Sequence, residues 1–267
     1  MRGFYETVSA AIRDIEEHGF DSMKRVQDWQ DKIVAAARRS MMSEAALQKA
    51  LHRTFHRIYD RMLKSGYTKV APGVARFSVE QLRPKLRREL ERRMMTSQQL
   101  IKLNRDAMIE KTKQRFGGWA SSVPAGGSRA VDRKDVSQNV RKALTQLPFE
   151  ERRVMIDQGQ KFLSDLSDII ATDNDAIAAV WHSHWRQAGY DYREDHKERD
   201  KQVYAIRGNW AIEQGFMKVG PAGYTDEITR PGEEVFCRCD YEYIYNIRDL
   251  PEYMITVRGR ESLNKGK

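Results

Sequence analysis

Through the first 116 residues, apolar side chains recur at intervals of three and four, the period of an amphipathic helix. In SEAALQKALHRTFHRIYDRMLKSG the apolar set is Leu47, Leu51, Phe55, Ile58, Tyr59, Met62 and Leu63. Ser43 stands at the expected cap, and Gly66 is expected to end the helix. The stretch SVEQLRPKLRRELERRMMTSQQLIKLNRDAMIEKTKQRFGG predicts one long helix or two end to end. Ser78 and Gln81 have capping-box spacing, Leu82, Leu86 and Leu90 extend an apolar stripe, and Pro84 falls in the first turns, where a proline costs little. The helical period returns in VSQNVRKALTQL and again in FEERRVMIDQGQKFLSDLSDIIA, whose apolar side is Val154, Phe162, Leu163, Leu166, Ile169 and Ile170.

The texture then changes. AIAAVWHSHWRQAG and QVYAIRG read as short strands and EVFCRCDYEYIYNI as a longer one, with the turn-rich GPAGYTDEITRPGEE between them. The fold class expected is therefore α+β: an elongated, mainly helical amino-terminal region followed by a small mixed α/β carboxyl-terminal unit. The small residues of WASSVPAGGSRA predict a flexible linker. The expected division is a basic helical region over 1–118, a linker over 119–130, an α+β domain over 131–250 and a polar tail over 251–267.

Charge sharpens this division. The net charge is +9, but residues 1–150 hold 30 Lys/Arg against 17 Asp/Glu, whereas residues 151–267 hold 17 against 21. The basic first half suits phosphate backbones or an acidic protein face, and equally a solvated helix surface. Arg83, Arg87, Arg88, Arg92 and Arg93 form its densest run and are the candidate nucleic-acid contacts, although their spacing covers several helical faces. No run of 18 apolar residues predicts a membrane span, and the opening MRGFYETVSAAIRDIEE lacks the apolar core of a signal peptide.

Candidate chemistry gathers near the carboxyl end. The two cysteines of the chain form a C-x-C at Cys237 and Cys239; His182 and His184 form an H-x-H, and His196 sits in the polar run DYREDHKERD. In a strand both members of either pair point to one face. With one of His182 or His184, the two cysteines and His196 would supply the thiolates and imidazoles that zinc favours; Asp200 is a further candidate ligand. The competing readings are inert core thiols and a histidine pair flanking an aromatic wall of Trp181 and Trp185. A C-x-C disulfide closes too little chain to stabilise much. His52 and His56, four apart on one helix, read as a polar surface pair. Acidic groups around His196 would serve a metal-dependent nuclease or hydrolase, but adjacency alone assembles no catalytic constellation, and none is expected. Neither a P-loop nor a dinucleotide fingerprint is present.

Taken in order, WHSHW…DYREDHKERDKQVYAI…RPGEEVFCRC resembles the carboxyl-terminal signature of the phage minor head, or head morphogenesis, proteins, the family that includes Mu F-like and SPP1-like minor capsid components. Trp181 matches the tryptophan, Arg193 and His196 the R-x-x-H, Asp200 the aspartate, Val203 and Tyr204 the stretch after it, Pro231 the loop proline and Cys237-Arg238-Cys239 the closing C-R-C. The helix with Arg153 and Ile156 is similar to the segment before the tryptophan. The resemblance covers roughly residues 150–245. Lys201 departs from it, standing where an Asp-Gly turn is expected, as does IDQGQ, where many members carry an arginine–threonine–glutamate motif.

The resemblance implies a low-copy structural component of the virion, acting beside the portal in head assembly or in DNA packaging and ejection, and present in the host cytoplasm during assembly. Its implied partners are portal, capsid or scaffold proteins, with DNA at the basic helices. Its implied cysteine–histidine–aspartate group holds a small terminal unit together, with zinc as the candidate cofactor. Nucleic-acid binding and metal-dependent hydrolysis are the alternative functions.

Overall fold

A computed structural model of the chain describes residues 1–265. The elements run α1 (Arg2–His18), α2 (Met23–Ser40), α3 (Glu44–Arg61), α4 (Tyr67–Val70), α5 (Arg76–Gln81), α6 (Arg83–Ala120), α7 (Arg133–Thr172), β1 (Ala178–His182), α8 (Glu194–Glu198), β2 (Val203–Ala205), α9 (Trp210–Glu213), β3 (Asp240–Ile244) and α10 (Val257–Lys265). A mainly helical amino-terminal region is thus followed by a smaller mixed α/β part with a three-stranded sheet.

Local signals decide some helix ends and packing decides others. Ser43 Oγ accepts from Ala46 N at 3.2 Å, as its capping position predicts. Gly66 ends nothing, because the chain continues from α3 through a π-helical turn at Met62–Gly66 into α4. Glycine adopts right-handed helical angles without difficulty, and buried Met62, Leu63 and Tyr67 carry the apolar face onward. The capping box at Ser78 does not form: Ser78 lies inside α5, whose cap is Ala75 with no side-chain bond. Pro84 takes the second position of α6, where its missing N–H costs nothing. The two helices expected around Pro148 are one, since α7 runs through the proline. An internal proline costs about 3 kcal/mol. Buried Leu144 and Leu147 before it, and buried Glu151 bound to Arg105 at 2.5 Å after it, hold the helix in place.

Two compact units are built from interleaved segments. The first comprises Met1–Leu51 with Thr96–Met155, the second His52–Met95 with Ile156–Lys267, so the chain crosses between them within α3, α6 and α7. The core of the first unit gathers Phe4, Ile12, Ile15, Ile33, Phe116 and Leu144. Residues 119–130 belong to this unit, where Gly126 N and Ser128 N donate to the carbonyls of His18 and Glu16 at the end of α1. Gly19 and Gly127 meet there with positive φ, and a Cβ on either would strike backbone of the facing segment.

The second unit contains the sheet, ordered β2-β1-β3 and antiparallel throughout. Its register sorts the side chains by period two. Ala178, Val203, Ala205 and Ile244 enter one core, and Ala179, Trp181, Tyr204, Tyr241 and Tyr243 enter another that also contains Cys237 and Cys239. The strand expected from residue 234 begins only at Asp240, so the C-x-C occupies the turn before β3.

Beyond β1 and before β2, Lys201 N donates to Trp181 O at 2.7 Å while Lys201 holds φ at 65°. A residue with a Cβ pays about 1–2 kcal/mol in that left-handed region, and glycine returns part of the relief as unfolded-state entropy. Lys201→Gly is therefore expected to raise stability by about 0.5–1 kcal/mol, read as a higher urea midpoint with unchanged slope.

Candidate metal centre

Three segments meet at His196. The five-residue α8 rises out of the charged run DYREDHKERD, and of that helix only His196 is buried, at 1% exposure. Its Nδ1 lies 3.6 Å from Cys237 Sγ and 3.6 Å from Cys239 Sγ. The cysteines are free thiols at 1% and 0% exposure. Trp181, fully buried on β1, closes the space with its ring edge-on to His196 at 5.2 Å.

The turn that presents the cysteines is gripped by α7. Asp157 Oδ1 accepts from Phe236 N at 2.6 Å, and Lys161 Nζ, one helical turn on, donates to the carbonyls of Gly232, Glu233 and Glu234 at 2.6–3.0 Å. Phe236 holds φ at 61°, and this left-handed step immediately precedes Cys237. A positive-φ step of this kind persists only where surrounding bonds over-determine it. Gly232 N donates to Cys237 Sγ at 3.3 Å, and Ser183 Oγ lies 3.9 Å from Cys239 Sγ.

On the other side of the ring, His196 Nε2 faces Glu234 Oε2 at 3.2 Å, outside hydrogen-bond alignment, and Arg193 Nε sits 2.7 Å from the same oxygen. Nδ1 is the ring atom that faces both sulfurs, and Nε2 is turned to the carboxylate. The thiols polarise one another. The Cys239 thiol, helped by Gly232 N–H and His196, brings Cys237 down to about 5 against the opposing effect of burial. The Cys237 sulfur and burial push Cys239 up.

His196, Cys237 and Cys239 thus form a buried group capable of coordinating a metal ion, with one ligand atom from each and all within 4.8 Å of one another. The expectation that the chain carries no catalytic constellation is corrected by this cluster, which is a candidate metal-binding and potentially catalytic site. Adjacency in sequence could not reveal it, because α8 and the cysteine turn are 41 residues apart at His196 and Cys237.

The remaining expected ligands lie elsewhere. His182 shares the sheet face of Val180, opposite to Trp181, and its Nε2 meets Glu242 Oε2 at 3.0 Å; His184 Nε2 meets Asp240 Oδ1 at 3.0 Å. The H-x-H residues therefore engage acids of the β3 strand. Asp200 accepts from Ser183 N at 2.9 Å and Trp185 Nε1 at 3.3 Å; burial raises its pKa, yet these bonds prevail and leave it below the usual value. Its role is to hold the turn after β1. His52 and His56 stack at 3.9 Å on α3.

The arginine run is divided among several partners. Arg83 pairs with Glu80, Arg87 with Glu91 at 3.5 Å, and Arg92 with Glu89 at 2.6 Å; Arg93 is buried against Asp165, while Arg88 is exposed. Asp157, Lys161 and Glu234 were not among the residues predicted for the site. The only sequence signal was an Asp and a Lys four apart in IDQGQK on a helix that otherwise reads as core.

Elemental analysis of the purified chain is expected to return about one equivalent of metal. His196→Ala, Cys237→Ser and Cys239→Ser should each abolish it, whereas His182→Ala and His184→Ala should retain it. Loss in the last two would place a ligand outside the cluster.

Among the described residues no helix is long and apolar enough to cross a membrane. No protein-family model, curated protein sequence or solved structure matches this chain.

Proposed function

We propose that His196, Cys237 and Cys239 hold zinc and that the second unit is a zinc-dependent hydrolase. One observation carries this reading: both sulfurs stand 3.6 Å from the same imidazole nitrogen. A tetrahedral shell with Zn–S of about 2.3 Å and Zn–N of about 2.0–2.1 Å has an S···N edge of about 3.6 Å. Thiolate and imidazole are also the donors that zinc favours among the divalent metals. Three protein ligands are the catalytic count, whereas structural zinc sites close with four.

Zinc bound there supplies Lewis-acid polarisation and a water acidic enough to act near neutral pH. The protein's own contribution is to hold the ligands. Glu234 places a carboxylate beside Nε2 of His196, where a small closure would give the ring a hydrogen-bond acceptor, and Arg193 holds Glu234. Gly232 N–H offsets charge on Cys237, and Trp181 excludes water from one side. Zinc would bind these sulfurs as thiolates, so metal loading would release protons.

The test is hydrolysis of bis(p-nitrophenyl) phosphate by the zinc-loaded chain. A chelator, His196→Ala or Cys239→Ser should abolish turnover, and Glu234→Gln should lower metal affinity or rate by about 10–100-fold. A folded, zinc-loaded chain no faster than free zinc would sink the hydrolase reading and leave a site that only holds the fold.

A second reading, a minor head protein of a tailed phage, draws support from the packing of the residues that carry that resemblance. Trp181 abuts His196, Arg193 reaches Glu234 beside it, and the C-R-C supplies both sulfurs. In this reading the metal stabilises a terminal unit that docks on portal, capsid or scaffold, and the chain copurifies with proheads and DNA-filled heads. Its absence from both particles would remove the reading.

A further inference from the structure

The turn that presents the cysteines has a second face. Residues 230–233, Arg238 and Asp240 line a cavity of about 720 Å³ in the second unit, whose other walls come from α6, α7, β3, Lys69 and the segment after β1 with His184 and Gln187. That volume lies within the range of small-molecule sites, roughly 300–1,000 Å³. The charges around it are unequal: Lys69, Arg92, Arg93, Lys161, Arg230 and Arg238 face three acids, Asp165, Glu233 and Asp240.

The basic groups fall into two sets. Arg92 and Arg93 engage Asp165, Arg230 engages Asp168 at 2.8 Å, and Lys161 is occupied by the three carbonyls of the cysteine turn. These four hold the walls. Lys69 and Arg238 are exposed, and among the described residues neither has a carboxylate at ion-pair distance. Arg238 is the central residue of the C-R-C, so its backbone is placed by the two ligand cysteines, and its guanidinium lies 5.2 Å over the Tyr190 ring. Gln160, Gln187 and Ser164 add neutral hydrogen-bonding groups, while exposed Ile156 and half-covered Leu163 offer an apolar strip on α7.

We propose that this cavity binds a phosphate ester, with Lys69 and Arg238 on the phosphate and the Ile156–Leu163 strip against the organic group. An excess of cations in a concave site, two of them without acidic partners, selects an anion, and guanidinium and ammonium groups are the usual phosphate donors. An adjoining apolar strip favours an esterified phosphate over the free ion. The inference rests on the hydrolase reading, to which it adds the substrate class: the phosphate would sit against the turn that presents Cys237 and Cys239. The ester has two sources of the same chemistry, a mononucleotide or a nucleic-acid strand.

The experiment is binding to the full-length, zinc-loaded chain by calorimetry and fluorescence polarisation, with inorganic phosphate, AMP and a labelled single-stranded DNA 12-mer as probes. AMP or the 12-mer is expected to bind more tightly than inorganic phosphate. For two phosphate contacts, strand affinity should fall about sevenfold between roughly 50 and 200 mM salt. Tighter binding of AMP assigns a mononucleotide, and tighter binding of the 12-mer a strand. Lys69→Ala with Arg238→Ala should weaken binding at least about tenfold. Lys69→Glu, which leaves the cysteine turn untouched, should do the same with metal content unchanged. The control pair Lys24→Ala and Lys111→Ala, on exposed lysines of the first unit, should have no effect. Absence of binding, or equal losses in the test and control variants, overturns the proposal. Binding lost with Lys69→Glu but no hydrolysis in any condition retains the cavity and refutes the hydrolase. Hydrolysis indifferent to Lys69 and Arg238 does the reverse.

Discussion

Two sulfur atoms and one imidazole nitrogen meet on three residues that are 0–1% exposed, and three segments of the second unit converge to keep them there. Polar groups in such a place are costly unless each has a partner. The three are one another's neighbours, with one thiol lowered and the other raised and the ring nitrogen equidistant from both. A metal ion would partner all three at once, and the ligand atoms lie within 4.8 Å of one another.

That arrangement depends on residues with no chemical role of their own. Asp157 and Lys161, one turn apart on α7, take up the backbone of the turn that carries the cysteines. The turn can then hold Phe236 in a left-handed conformation and aim both sulfurs inward. Arg193 and Glu234 stand on the far side of the imidazole, 2.7 Å from each other and facing Nε2. The site is accordingly a joint product of a helix, a strand and two loops.

Charge is used in three ways along this chain. In the first unit Asp14 binds Arg25 at 3.0 Å and Trp29 at 2.7 Å, tying α1 to α2, and Arg105 binds Glu151 inside the core. Exposed pairs such as Arg87 with Glu91 contribute little, about 0–1 kcal/mol each. A third group lines the cavity beside the cysteine turn. The net basicity of the first half therefore says less about a partner than where packing places individual cations.

Helical period, the order of strands and the cap at Ser43 are properties of neighbouring residues, and the chain reveals them directly. The same is true of the chemical types at the site: both thiols, the histidine of R-x-x-H and the tryptophan before it stand out in the sequence. The sequence does not choose among histidines, because that choice belongs to the sheet. Period two puts His182 on the face opposite Trp181, and the end of β1 turns His184 towards Asp240, so only His196 reaches the sulfurs. Nor do local rules explain why α7 runs through Pro148 or why Gly66 ends no helix; buried contacts outweigh the cost of the proline in one case and a permissive glycine in the other. Composition and spacing determined which atoms this protein has available for a metal. Long-range packing, through the parity of one strand and the grip of one helix on a turn, decided which three of them meet.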